Sequence, residues 1–260
     1  ELPLPANYQP QHDLDIGDMV GRDELLERWP RTPAAVRRHL GDYYASITYL
    51  DAQIGRILAA LDASGQRHQT LIVFASDSGL AIGSHGLFGK QNIYEHSMRV
   101  PLIFAGPGVP AGQRREALAY LFDVYPTLGE LAEVAPPPGN EGESLVPVLL
   151  DPAATGRDEI FLAYSDTQRS LRDQRWKLIR YPQLNITRLF DLQTDPDERN
   201  NLADAADQRE RVAAMERRLA DAQAAWADPT PLVSPQPAPA AFRPPTGELM
   251  EQLIRTNQTR

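Results

Sequence analysis

The side chains able to do chemistry are concentrated in Thr70–Lys90, TLIVFASDSGLAIGSHGLFGK. Asp77 and Ser78 close a short apolar run, Leu71-Ile72-Val73-Phe74, and His85 and Lys90 follow among Gly83, Gly86 and Gly89. A carboxylate can hold a hard cation, an imidazole can pass a proton, and an ammonium can neutralise a developing anion. The apolar run reads as a strand buried on both faces of a sheet. The glycines predict a flexible loop at the end of that strand, where open α/β sheets place their ligands. Composition alone also allows a plain glycine-rich surface turn. The functional reading ranks first because three chemical groups share one short loop.

Several elements must position that loop. Thr32-Pro33 gives a helix start, and Val36, Leu40, Tyr43, Ile47, Leu50, Ile54, Ile57 and Leu61 recur at steps of three and four residues. This pattern predicts one long amphipathic helix ending near Ser64-Gly65. Val100–Ala105 reads as a second strand of the same sheet, with Pro101 at its start. A further helix is expected within Ala117–Val134, entered at Pro126-Thr127, with Leu128, Leu131 and Ala132 as its apolar stripe. Residues Glu1 to Pro33 are proline-punctuated and predict an extended surface segment, with His12 in a solvated acidic loop beside Asp13 and Asp15.

Pro136-Pro137-Pro138-Gly139 and Asp151-Pro152 mark a change of texture. Short runs come next at Ile160–Tyr164, Ser170–Arg172, Trp176–Tyr181 and Arg188–Leu192, predicting a small antiparallel sheet. Val212, Met215, Leu219 and Ala222 predict a helix from about Asp204 to Trp226 that covers it. Prolines from Asp228 to Pro245 predict an extended strap or disorder, and Glu248–Ile254 a last short helix. The expected class is α/β, a mostly parallel sheet flanked by helices plus a small antiparallel sheet under a helix. The chain accordingly divides into three regions: 1–150 with 1–33 as lead-in, 151–227, and a proline-rich tail over 228–260.

The chain has 260 residues and a net charge of −9, which argues against a nucleic-acid or anionic-membrane surface. No apolar run is long enough to span a bilayer. With no cysteine, disulfides, thiolate metal sites and a cysteine nucleophile are excluded within it. The opening ELPLPANYQP has neither an initiator Met nor signal-peptide regions, so the chain reads as cut from something longer.

Three long motifs occur in order: SDSGLAIGSHGLFGKQNIYEHSMRVPLIFAGPG, the preceding DYYASITYLDAQIGRILAALDASG, and Trp176–Tyr181 followed by Leu189–Leu192 and Asp195–Leu202. In this the chain resembles the sulfatases of the alkaline phosphatase superfamily, from the first helix through Leu202. The resemblance implies an alkaline-phosphatase-like sheet and hydrolysis of sulfuric esters. It also implies a Ca²⁺ site and a formylglycine nucleophile made from a C/S-x-P-x-R motif. That motif and the paired aspartates of the family's N-terminal part are not in this sequence. The chain is therefore expected to be the C-terminal half of a sulfatase, with an N-terminal half as partner, and inactive alone.

On the resemblance, Asp77 is a carboxylate metal ligand, and Ser78 stands where Asn or His is usual, leaving the site weak or incomplete. Lys90 is implied to contact a sulfate oxygen, and His85 to contact substrate or protonate a leaving oxygen. His96 is implied to border the substrate pocket, while Glu95 and Arg99 are structural partners. The implied substrate is a sulfated small molecule or sulfated sugar. A periplasmic or secreted setting is favoured by the resemblance, with the cytoplasm as the other setting it allows. Two other readings are a phosphodiester or phosphonate monoester hydrolase of the same superfamily, and a non-catalytic sulfatase-like binding module.

Overall fold

The computed structural model describes residues 1–135 and 137–258. Pro136, in the proline cluster above, and the last two residues of the tail lie outside the described residues. Helix α1 spans Pro33–Ala63 and ends, as its periodicity predicts, before Ser64-Gly65. Gly65 takes a φ of 71°, the left-handed conformation that closes helices without a Cβ penalty. Strand β1 (Ile72–Ala75) pairs with β2 (Leu102–Ala105), Ile72 opposite Ala105 and Ala75 opposite Leu102. Helix α2 (Glu95–Met98) lies between them in sequence. Helices α3 (Val124–Leu131) and α4 (Val146–Leu150) come next, then strands β3 (Ile160–Tyr164), β4 (Gln168–Arg172), β5 (Trp176–Tyr181) and β6 (Ile186–Asp191). Helices α5 (Arg209–Ala225) and α6 (Gly247–Gln258) complete the order.

The chain divides into two compact units. One comprises Glu1–Ala45, Ser78–Arg99 and Phe161–Arg260, the other Ser46–Asp77 and Val100–Ile160.

In the first unit, β3-β4-β5-β6 form a four-stranded sheet whose paired strands run antiparallel at β4–β5 and β5–β6. Period-two patterning sends Leu171, Leu178 and Leu189 to one face, where Met215 and Leu219 of α5 and Trp176 meet them. The opposite face carries Ile179, Tyr181 and Phe190. These join Leu14, Ile16 and Met19 from the lead-in, and Ala81, Leu87, Ile93 and Tyr94 from the loop segment. The lead-in is therefore core rather than an extended surface segment, and it includes a 3₁₀ turn at Arg22–Leu26. His12 is fully buried, not part of a solvated acidic loop. Irregular backbone reaches a core without periodicity, so no spacing announced it. The proline-rich strap is ordered in extended form: the Asp15 N–H donates to Ala240 O at 2.8 Å, the Phe242 N–H to Asp13 O at 3.2 Å, and Phe242 is buried.

In the second unit, β2 is a second strand of the same sheet as β1, as expected, and the two pair antiparallel. Strand β1 is not buried on both faces, since Phe74 and Ala75 are exposed. Helix α3 buries Pro126 and Thr127 and exposes Leu128, so its expected stripe is not what it packs. A polar node fixes its start instead. The buried Asp123 carboxylate accepts the N–H groups of Tyr120 (2.7 Å) and Glu143 (2.8 Å) and pairs with Arg157 at 2.7 Å.

The α5–sheet contact carries much of the first unit's apolar burial. Leu219 is fully buried against Leu171, Leu178 and Leu189. Leu219→Ala is expected to lower unfolding stability by about 3 kcal/mol through lost transfer energy and a residual cavity. Urea denaturation followed by far-UV circular dichroism measures it, and a change below about 1 kcal/mol would contradict this packing.

Candidate active site

Ala81 through Gly89 are all buried, and Lys90 is the first residue after them to be partly exposed. The segment is a tight, hydrogen-bonded loop rather than the flexible one expected. Its own ladder runs Gly83 N–H to Leu87 O (2.7 Å), Ile82 N–H to Phe88 O (3.3 Å) and Ala81 N–H to Gly89 O (3.2 Å). Ile82 at φ 41° and His85 at φ 53° are left-handed, costly for L-residues and most of all for a β-branched one. Gly86, at φ 70°, is required: a Cβ there would sit 2.1 Å from the Gln11 carbonyl carbon and 2.4 Å from the His12 nitrogen.

The lead-in supplies what holds the far limb. The Glu24 carboxylate accepts the N–H groups of Phe88 (3.0 Å) and Gly89 (2.7 Å). Arg31 pairs with that carboxylate at 2.6 Å and donates through its other terminal nitrogen to Gly86 O. Both side chains are buried, and the Arg31 guanidinium lies 4.1 Å over the Trp29 ring. Next to Lys90, the Gln91 amide oxygen accepts the Lys90 N–H at 3.0 Å, and its nitrogen donates to Asp23 at 3.2 Å.

Behind the loop lies an aromatic and imidazole stack. The His85 ring rests on Tyr94 with centroids 4.0 Å apart, and His96 is 5.8 Å from each. The Tyr94 oxygen is met by His12 Nε2 (3.1 Å), the Tyr181 hydroxyl (3.1 Å) and Arg188 Nη1, which donates at 3.0 Å. His12 Nδ1 is held by the Leu14 backbone, 3.0 Å from its nitrogen and 2.9 Å from its carbonyl oxygen. Burial pushes the Tyr94 phenol up to about 12. Burial, aided by the Arg188 charge, pushes His12 down to about 4. Burial, with His12 and Arg188 nearby, pushes His85 down to about 3, and His96 falls well below the usual imidazole value. All three imidazoles are thus neutral at pH 7. His85 Nε2 and both His96 ring nitrogens are buried with no protein hydrogen-bond partner.

Helix α2 is tied down by buried charges. Lys177, fully buried, pairs with Glu95 at 3.0 Å and Glu198 at 2.9 Å, and Arg172 pairs with Glu95 at 2.8 Å. Burial pushes Glu95 upward, but Lys177 and Arg172 outweigh it and the net shift is downward. Burial, with Glu95 close by, raises Glu198. Glu95 is thus the structural partner expected, while Arg99 is exposed and adds only its charge to Glu95's surroundings.

Asp77 ends the β1 loop as an exposed carboxylate, and Ser78 is partly buried. Among the described residues no three His, Cys, Asp or Glu side chains gather in a way that could hold a metal ion. A calcium ion takes about six to eight oxygen ligands. One aspartate and a serine do not fit that demand, so these residues alone do not form the site. The sequence singled out Lys90, His85 and Asp77, and named His12 only as a solvated group; it did not single out Glu24, Arg31 or Arg188. Charge within a segment that has no periodicity is the only sequence signal of Glu24 and Arg31, whereas Arg188 lies on an expected strand, β6.

Residues 83–225, more than half of the chain, match the family model described as N-sulphoglucosamine sulphohydrolase, C-terminal, and residues 6–134 match the one described as Sulfatase. The chain belongs to the sulfatase family. The choline-sulfatase of Rhizobium meliloti is 35% identical over 209 residues, covering 77% of this chain and 39% of that protein. The sulfatase chain thus spans about two fifths of that relative's length. A protein solved in complex with its substrate D-glucosamine-2-N,6-O-disulfate matches with a TM-score of 0.71 and 29% identity, over 76% of this chain and 43% of that one. The phosphonate monoester hydrolase of Agrobacterium radiobacter matches with a TM-score of 0.65 and 29% identity, over 82% and 47%. Two further solved sulfatases, at TM-scores of 0.79 and 0.72, share the alkaline-phosphatase-like α/β fold expected from the sequence. Divalent-metal use is typical of the family. No helix among the described residues is long and apolar enough to cross a membrane.

The neutral, buried imidazoles set a pH dependence. Their folded-state values lie below the unfolded value of about 6.5, so the unfolded chain binds more protons between the two. Stability is complete above about pH 6.5 and is lost as pH falls toward about 4 and then 3. Thermal melts should show a lower Tm at pH 5 than at pH 7.5, with the difference reduced in His12→Gln. An identical drop in wild type and variant would show that other groups carry the effect.

Proposed function

We propose that this chain is part of a sulfuric ester hydrolase and contributes the sulfate-contacting ammonium, Lys90, and one metal-ligating carboxylate, Asp77. The observation that carries the reading is the loop itself: nine consecutive buried residues, Ala81–Gly89, deliver Lys90 to partial exposure inside the matched sulfatase region. In this role the ammonium neutralises charge on the sulfuryl oxygens as the ester bond breaks. Asp77 offers one hard oxygen to a Ca²⁺ whose remaining ligands come from outside these residues, with Ser78 at most a weak contributor. The nucleophile, a formylglycine on the family pattern, is likewise assigned to an N-terminal half. His85 and His96 enter this reading as neutral imidazoles backing the loop, a role their burial supports better than proton donation.

Exposed apolar surface in the second unit supports the need for such a partner half. There Ile57 is 67% and Ile103 56% exposed, and Tyr49, Leu50 and Tyr125 are also uncovered. Large apolar side chains left this uncovered are ones that a partner half would bury. The substrate proposed is a sulfated small molecule or sugar, in keeping with the substrate of the glucosamine-disulfate complex, and a periplasmic or secreted setting suits it. The phosphonate monoester hydrolase neighbour keeps a phosphoester reading second.

The test is turnover by the protein that contains this chain together with its N-terminal half. Choline sulfate, an aryl sulfate and glucosamine sulfates should be assayed beside a phenyl phosphonate ester. Sulfate release is expected, with Lys90→Ala lowering kcat/KM by about 10²–10³-fold, and the isolated chain inactive. Turnover of the phosphonate alone, or unchanged kcat/KM in Lys90→Ala, would overturn the assignment.

A further inference from the structure

We propose that the buried Glu24–Arg31 pair is a positioning device for Lys90, fixing the backbone from which the ammonium projects; this rests on the reading of Lys90 as the sulfate-contacting group. The pair lies outside the loop in sequence, Glu24 being 64 residues before Phe88. Its contacts converge on the turn immediately ahead of Lys90. Glu24 accepts from Phe88 and Gly89, the two residues preceding the lysine, and Arg31 donates to Gly86 O. Arg31 also donates to the Glu24 main-chain oxygen at 2.8 Å, so the two ends of the clamp are locked to each other. Its guanidinium lies 5.1 Å from the Phe88 ring centroid, over one face.

The clamp works only as a charged pair. A carboxylate accepts from both N–H groups and from Arg31 together, because it has two oxygens and no proton of its own. An amide in the same place would turn an N–H toward Arg31 and leave a buried guanidinium without a counter-charge. The loop has reason to need holding, since Ile82 and His85 sit in left-handed backbone that would relax if released. Gln91 and Asp23 extend the bracket to the Lys90 N–H itself. An ammonium delivered by such a backbone is pre-aimed, and about 1 Å of displacement can cost on the order of 10²-fold in rate.

The test is a double-mutant cycle in the complete protein, read alongside amide hydrogen exchange over residues 83–90. Glu24→Gln is expected to speed exchange at Phe88 and Gly89 and to lower kcat/KM for a sulfate ester by about 10- to 100-fold. Added to Lys90→Ala, it should cost nothing more, because it acts through the lysine. Arg31→Lys, which keeps the charge, should recover part of the activity that Arg31→Met loses. If Glu24→Gln does not fold, Gln91→Ala at the edge of the bracket should show the same non-additivity with a smaller loss. Additive losses in an enzyme that depends on Lys90, or unchanged exchange in Glu24→Gln, would overturn the proposal by itself. Full activity in Lys90→Ala would overturn the sulfate reading, and this role with it, whatever the exchange shows.

Discussion

Two charges taken out of water, Glu24 and Arg31, set the terms for the chemistry-bearing loop. A buried ion pair loses more in desolvation than its attraction returns unless every remaining donor and acceptor is satisfied. Here the loop's own backbone supplies most of that satisfaction, with N–H groups of Phe88 and Gly89 to the carboxylate and the Gly86 carbonyl to the guanidinium, while Arg31 Nε is buried without a hydrogen-bond partner. The dependence runs both ways. Without the loop in this shape, the charges would be stranded; without the charges, two N–H groups and a carbonyl would be buried unpaired. A polar network of this kind specifies one arrangement rather than adding much stability.

Helix α2 shows the same logic on the next segment. Lys177 rises from β5, fully buried, and is held between Glu95 and Glu198. One lysine facing two carboxylates would leave excess negative charge, and Arg172 on the adjacent strand supplies the balance through Glu95. Glu198 is pushed toward its neutral form by burial and by Glu95, which eases the same imbalance. The result fixes Glu95 and therefore the register of Tyr94 and His96 on either side. Tyr94 then carries His85 on its ring face and meets His12 and Arg188 at its hydroxyl. The imidazoles stay neutral because positive neighbours and burial act in the same direction.

What the sequence made legible divides along physical lines. The four strands of the small sheet and α5 were readable because each buries one face at a regular period. The strands lie within two residues of expectation, and α5 starts at Arg209, inside the expected range and after a 3₁₀ turn at Ala206–Gln208. Helix α1 was readable for the same reason, although much of its apolar stripe, including Ile47, Leu50 and Ile57, is exposed in this chain. Periodicity reports that a face is built for burial, not what buries it. The lead-in and strap escaped the reading because their burial is irregular: Leu14, Ile16, Met19 and Phe242 enter the core from segments with no repeat. Of the loop, Lys90 and His85 were visible from spacing and motif. The clamp was not, because Glu24 and Arg31 look like ordinary surface charges until the chain folds them inward.

The positive-φ residues Ile82, Gly83, His85 and Gly86 connect these points. Each such residue other than glycine costs on the order of 1 kcal/mol or more, and a loop free to choose would avoid the conformation. It persists because Ile82 and Phe88 are buried with Val36 and Leu40 of α1, while Leu87 is buried with Ile179 and Phe190 beneath the sheet. Apolar burial on both limbs fixes where the loop lies, and the Glu24–Arg31 pair fixes which way its backbone groups face. Neither alone would do both: burial is non-directional, and two charges cannot close a loop against its own strain. A side chain placed at the first partly exposed position after such a segment inherits the precision of everything behind it, and that precision is what the anion-contacting role proposed for Lys90 requires.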